Sequence, residues 1–324
     1  MIEFKEEAGL RIVFMGSPEF AVVPLQFLVL AGHNIAAVYT RLDKPAGRGR
    51  TPAAPPIKTA ALSWNLPVIQ VPTLKNPEAV DQLARYRPEA IVVAAFGQIL
   101  PRSVLDLPCY GCLNIHPSLL PKYRGASPVA AAILAGDEFA GVSVMRLDET
   151  LDTGPIYSRA QIPILPQDTA GSLTSKLFQM GARVLLQVLA DLPVGKWLPE
   201  PQNSAEATYT REITKEEGRI NWALPAGDIW RKVRTYQPWP RAYTFLQKKR
   251  LNIIEAVPLS SESFTEAGRV VSVAPAQRQS GASFAIGTGD GLLGIIQVQL
   301  EGKRMMKAEE FARGQLDFVG SVLG

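Results

Sequence analysis

A chain of 324 residues is long for one hydrophobic core, so about two domains are expected. With 47% hydrophobic and 20% charged residues it has an ordinary globular composition, and no apolar run is long enough to span a bilayer, which argues against a membrane role. The net charge of +4 is uneven: residues 1–207 hold 18 basic and 18 acidic side chains, residues 208–324 hold 16 and 12, so the last third presents either a solvated basic surface or a face for a polyanion.

Met1 to Gly9 carries Glu3, Glu6 and Glu7 against Lys5, the wrong charge for a targeting segment, and reads as a short extension. Leu10 to Met15 predicts a strand, Gly16-Ser17-Pro18 a tight turn with Ser17 as N-cap, and Phe20 to Ala31 a helix closed by Gly32. The turn lacks G-x-G-x-x-G, so no dinucleotide fingerprint is present. Further strands are predicted at Asn34–Thr40, Pro67–Val71 and Glu89–Ala95, with helices near 57–64 and 76–87 between them. That alternation implies an α/β domain with a doubly wound, mostly parallel sheet.

Between the second strand and its helix, Arg41 to Pro56 is longer than such connections usually are, and from Arg41 to Lys58 the chain carries five basic groups, one acid and two glycines. It is either a solvated loop or a grip on a phosphate backbone. The two cysteines form Cys109-x-x-Cys112, but with only two histidines in the chain a four-ligand zinc site is not supported, and two reduced thiols are expected.

Cys112-Leu-Asn-Ile-His-Pro-Ser-Leu-Leu-Pro-Lys-Tyr-Arg-Gly125 is the densest stretch chemically. Extended, it points Asn114 and His116 to one face and Leu113 and Ile115 to the other. Pro117 and Pro121 end the strand, which puts both polar groups at its carboxyl end, where open parallel sheets place their ligands. Beyond it, helix Ser127–Ala135, strand Phe139–Leu147, loop Asp148–Pro155, an extended run Ile156–Ile164 and helix Thr169–Leu192 are predicted. Pro193–Ala205 has no periodicity and reads as a linker. After it, short runs near 208–213, 242–247, 251–257, 269–274, 283–287 and 292–299, with helices only at Ala226–Arg234 and Lys307–Arg313, predict a small OB-like β-barrel. The expected division is 1–192, linker 193–207, and 208–324.

An amide and an imidazole on one strand face, with an acid from the later loop, suit attack by an amine on a carbonyl carbon. Asn114 and His116 would stabilise the oxyanion, and Asp148 or Asp152 would orient the imidazole. Ser118 follows Pro117 without a G-x-S-x-G elbow and is a poor nucleophile candidate.

Asn114-x-His116-Pro-Ser-Leu-Leu-Pro121 with Arg124-Gly125, then Leu151-Asp-Thr-Gly-Pro155, resembles the signature of the 10-formyltetrahydrofolate-dependent formyltransferases. Arg11 to Phe20, Lys44-Pro-Ala-Gly-Arg-Gly49 and Tyr209 to Trp222 are similar to the branch of that family acting on methionyl-tRNA. The resemblance implies a Rossmann-like formyltransferase domain followed by an OB-like tRNA-binding domain. It implies a catalytic trio of Asn114, His116 and Asp152, folate contacts from Ser118, Leu119, Leu120, Pro121, Phe96 and Gly97, and tRNA contacts from Lys44, Arg48 and Arg50. The cosubstrate implied is 10-formyltetrahydrofolate without a metal, and the partner is initiator methionyl-tRNA. A cytoplasmic monomer with no membrane contact is expected.

Overall fold

The computed structural model describes residues 9–46, 51–196, 198–261, 265–315 and 317–324. The chain begins with β1 (Arg11–Gly16), α1 (Val22–Leu30), β2 (Asn34–Thr40), β3 (Lys44–Ala46), β4 (Thr51–Ala53), α2 (Pro56–Ser63), β5 (Val68–Gln70), α3 (Pro77–Ala84) and β6 (Ala90–Ala94). It continues with α4 (Arg102–Leu105), β7 (Cys112–His116), β8 (Arg124–Gly125), α5 (Pro128–Ala135), β9 (Phe139–Arg146), β10 (Ile156–Pro163), α6 (Ala170–Asp191) and β11 (Tyr209–Thr210). The last part holds α7 (Ala226–Thr235), β12 (Ala242–Leu246), β13 (Lys249–Leu259), β14 (Val270–Ser272), β15 (Phe284–Gly287), β16 (Leu292–Leu300), β17 (Met306–Lys307) and α8 (Ala308–Arg313).

Seven strands form one sheet in the order β10-β9-β7-β6-β1-β2-β5. The five from β5 to β7 are parallel, and β9 and β10 add an antiparallel edge. Both faces are covered, which is why these strands read as continuous apolar runs rather than alternating ones. In β1, Ile12 and Phe14 join a core with Leu25 and Leu28 of α1 and Phe178, Leu185 and Val188 of α6, while Val13 and Met15 join the opposite core with Leu83 of α3 and Val104 of α4. Full burial of a side chain such as Phe14 stabilises by about 2–3 kcal/mol. Strand order reverses between β1 and β6, the switch point at which such sheets open a crevice at their carboxyl ends.

Ser17 does not cap the first helix. Its buried hydroxyl instead receives Thr40 Oγ1 and the Arg41 N–H, both at 3.4 Å, and the helix starts at Val22 after a 3-10 turn at Glu19–Ala21. Tying the ends of β1 and β2 together replaces the capping bond. The basic loop contains a short hairpin, β3 against β4, which its proline-rich sequence did not suggest. The run near 208 is also different from expectation. Only Tyr209 and Thr210 are extended, and they pair with β8 instead of joining the later strands. No helix among the described residues is long and apolar enough to cross a membrane.

Contacts divide the chain into two compact units, one of 1–128, 139–163 and 174–210, the other of 129–138, 164–173 and 211–324. The second is built on a six-stranded antiparallel sheet, ordered β12-β13-β16-β15-β14 with β17 on β16. Register shifts in β13 at Ile253/Glu255 and Glu255/Ala256 bend this sheet, as bulges do, into the open, barrel-like form expected. Its core holds Trp222, Ile229, Val233, Ile253, Phe284, Ile295 and Phe311. Arg250 of β13 lies 3.8 Å from the ring centre of Tyr243 on β12, and Arg219, before α7, lies 5.7 Å from that of Phe245 on β12.

Candidate active site

Strand β7 ends at His116, and its alternation sets the site. Leu113 and Ile115 enter the α1/α6 core and Cys112 the opposite one, which leaves Asn114 and His116 on the Cys112 face. Support from below is tight, since a Cβ on Gly181 of α6 would lie 2.6 Å from Ile115 Cγ2.

Asn114 is 8% exposed, yet its side-chain amide makes no hydrogen bond among the described residues. A nearly buried amide with spare donors and an acceptor is left for water or a ligand to complete. His116 is 5% exposed. Its Nε2 lies 3.0 Å from the Tyr123 carbonyl oxygen and its Nδ1 3.6 Å from Asp152 Oδ2. Both neighbours only accept protons, so a ring protonated on one nitrogen satisfies one of them and an imidazolium satisfies both.

Of the two acids that residue type and spacing left open, Asp152, the one the resemblance implied, is brought to the imidazole. Its Oδ2 also accepts the Gly125 N–H at 2.8 Å. Asp148 instead closes its own loop, accepting from the Thr150 N–H at 3.0 Å and from Thr153 Oγ1 at 2.8 Å. Asp152 sits at φ +53°, a left-handed conformation that Asp tolerates better than most residues. Gly154 lets that turn lie against β9, because a Cβ there would be 1.9 Å from the Arg146 carbonyl oxygen.

The segment after His116 is held by groups that sequence reasoning missed. Ser143 of β9, in register with His116, donates through Oγ to the Ser118 carbonyl at 2.7 Å and accepts the Leu120 N–H at 3.1 Å. Arg159 Nε donates to the Leu120 carbonyl at 3.0 Å. A buried serine in the apolar run Gly141-Val-Ser-Val-Met145 was the available signal for the first. Ser118 gives its hydroxyl proton to the Lys122 carbonyl at 2.6 Å, which removes it as a nucleophile candidate.

Leu119 lies over Gly141, where a Cβ would come within 2.3 Å of its Cδ2. Leu120 is buried with Met145 and Ile156, and Pro121 is buried too. Phe96 is packed into the core, so at that position only backbone can face a ligand, whereas Gly97 is exposed at φ +80°. The loop bearing them leaves β6, one strand from β7 with Val93 opposite Asn114.

Lys44 is exposed on β3, whereas Arg48 and Arg50 lie outside the described residues. Lys58 is not free for a partner: its ammonium sits 2.9 Å from Asp43, whose carboxyl is held below its usual range by hydrogen bonds from Lys58 and Gln70. Cys109 is exposed and Cys112 buried, unlinked, with burial pushing the Cys112 thiol up to about 12. Among the described residues no group of three or more His, Cys, Asp or Glu is gathered as a metal would need.

Comparison with known proteins gives the family. The profile described as formyl transferase matches residues 10–189, and that described as formyl transferase, C-terminal domain, matches residues 212–316. The methionyl-tRNA formyltransferase of Dehalococcoides mccartyi (strain ATCC BAA-2266 / KCTC 15142 / 195) is 49% identical over 317 residues, 97% of this chain and 99% of that protein. That of Chloroflexus aurantiacus (strain ATCC 29366 / DSM 635 / J-10-fl) is 46% identical over 305 residues, 94% of this chain and 97% of its own. Among solved structures, the sugar 3N-formyl transferase WlaRD, determined in the presence of dTDP and 5-N-formyl-THF, shares the fold with a TM-score of 0.64 at 20% identity, covering 91% of this chain and 99% of that one. HypX from Aquifex aeolicus in complex with tetrahydrofolic acid gives 0.63 at 19%, covering 96% of this chain and 48% of its own. With both parts of its length matched and full-length relatives near half identity, the chain belongs to the formyl transferase family.

Proposed function

We propose that this chain transfers the formyl group of 10-formyltetrahydrofolate to the free amino group of methionine on initiator Met-tRNA, for translation initiation. The observation that carries the chemistry is the unpartnered Asn114 amide beside a His116 ring held between Tyr123 and Asp152. The acceptor rests on likeness along the whole chain to relatives named methionyl-tRNA formyltransferase.

In the proposed reaction the methionyl nitrogen bonds to the formyl carbon, the bond from that carbon to N10 breaks, and one proton passes from the attacking to the leaving nitrogen. Asn114 donates to the formyl oxygen as charge builds there, which lowers the barrier because the donor is already in place, and His116 would join it on releasing the Tyr123 carbonyl from Nε2. Asp152 orients the imidazole and stabilises it while it carries the moving proton. No covalent enzyme intermediate is required, in keeping with the committed Ser118 hydroxyl.

The backbone and apolar surfaces of Ser118, Leu119, Leu120, Pro121, Phe96 and Gly97 would hold the folate, and the spare Asn114 amide fits a ligand carbonyl beside them. Residues 1–192 would carry catalysis, 193–207 the connection, and 208–324 the grip on the tRNA body, with Lys44, Arg48 and Arg50 reaching the acceptor end. The protein would act as a monomer in the cytoplasm. The test is direct: incubation with 10-formyltetrahydrofolate and charged initiator tRNA, beside an amino-sugar nucleotide. Formylation of the tRNA is expected, and formylation of the sugar alone would refute the acceptor.

A further inference from the structure

Arg124 is 1% exposed, the largest fully buried side chain among the described residues, and nothing in the proposed chemistry uses it. Its partners are neutral. Nε and Nη2 both donate to Gln202 Oε1, at 3.1 and 2.8 Å, and Nη1 donates to the Tyr209 hydroxyl at 3.1 Å. Gln202 belongs to the run read from sequence as a featureless linker. Its Nε2 donates to the Asp152 carbonyl at 2.8 Å and to the Gly154 carbonyl at 2.7 Å.

The surrounding chain is fastened in the same way. Glu200 and Ile156 exchange backbone hydrogen bonds at 2.8 Å, and the Arg124 N–H donates to the Thr208 carbonyl at 2.8 Å. Tyr209 and Thr210 pair with Arg124 and Gly125, and a Cβ on Gly125 would lie 2.3 Å from the Thr210 carbonyl oxygen.

We propose that Arg124 and Gln202 are positioning residues that fix the Asp152 turn against His116. The Arg fork locks the amide of Gln202 in one orientation, with its oxygen toward Arg124 and its NH2 toward the turn. That NH2 holds the carbonyls of Asp152 and Gly154, while Gly125, next to Arg124, holds the Asp152 carboxylate. Asp152 is thus clasped at its main chain and its side chain from adjoining points, which keeps a left-handed residue from relaxing and drawing Oδ2 away from Nδ1. Neither residue touches a reacting atom, so each acts through Asp152.

The inference rests on the proposed formyl transfer, and the experiment separates the two. Gln202→Glu keeps an oxygen for Arg124, now as an ion pair, but removes both donors to the turn. Against a wild type that formylates Met-tRNA, this variant should melt within a few degrees of it, keep its KM for 10-formyltetrahydrofolate within about twofold, and lose about 10- to 100-fold in kcat, as expected for small misplacement of a reacting group. Arg124→Lys, which keeps the charge and loses the fork, should lose kcat in the same way. Introduced into Asp152→Asn, Gln202→Glu should cost little more, because the residue it positions has already been altered. Wild-type kcat in Gln202→Glu, a rise in KM alone, or the full loss repeated in the Asp152→Asn background would overturn the proposal. A wild type inactive with every acceptor would instead refute the transfer itself.

Discussion

Replacing Asp152 with Asn is the sharpest test of the catalytic geometry, because it removes a charge and almost nothing else. Asn accepts the left-handed φ of +53° and retains an oxygen for the Gly125 N–H. What disappears is attraction between the carboxylate and an imidazole carrying the proton in flight. At the 3.6 Å separation of Nδ1 and Oδ2, and with the effective dielectric of about 20 suited to such sites, Coulomb's law gives about 4.6 kcal/mol. The amide dipole of Asn recovers part of that, so a loss of about 3–4 kcal/mol in transition-state stabilisation is expected, or about 10²- to 10³-fold in kcat. Single-turnover formylation of Met-tRNA at saturating folate measures it, with thermal melting as the control for fold. Asp148→Asn, which disturbs only its own loop, should change kcat less than about threefold, of the order of 0.6 kcal/mol. A kcat within fivefold of wild type for Asp152→Asn, or a greater loss for Asp148→Asn, would refute the assignment of the acid.

Gly141→Ala drives a methyl into Leu119, so it should raise KM for the folate and destabilise by about 1–3 kcal/mol, read as a rise in KM and a melting point lower by several degrees. An unchanged KM would remove Leu119 from the folate site. Iodoacetamide at pH 8 should label the exposed Cys109 and spare Cys112: the Cys112 thiol, raised to about 12, is about one part in 10⁴ thiolate there, and peptide mass mapping would show it. If Lys44 meets a phosphate of the acceptor end, Lys44→Ala should weaken tRNA use, leave the folate KM alone and flatten the slope of log affinity against log salt by roughly 0.7. A slope identical to wild type would count against that contact.

Most of the first unit was legible because its strands and helices announce themselves locally. Asn34–Thr40 is a strand by composition, Pro56–Ser63 and Pro77–Ala84 are helices opened by proline, and the alternation along Cys112–His116 already set Asn114 beside His116. The family signature added the donor and the acceptor. Less visible was anything that depends on partners distant in sequence. Ser17 looked like an N-cap because a cap is a local idea, yet its hydroxyl is taken by Thr40 and Arg41. Residues 208–213 looked like part of a barrel, yet Tyr209 and Thr210 found β8, some 85 residues earlier.

The sequence by itself determined which side chains stand at the end of β7, since strand periodicity and two prolines leave Asn114 and His116 no other face. The family signature pointed to Asp152 as the acid, but only the tertiary structure shows what brings it to the imidazole. Asp148 and Asp152 are equivalent to any reading by type and spacing, and what separates them is a left-handed turn, a glycine pressed on the Arg146 carbonyl and an amide 50 residues away. Hydrogen bonds of that kind join groups whose separation along the chain carries no signal; only folding brings them within reach.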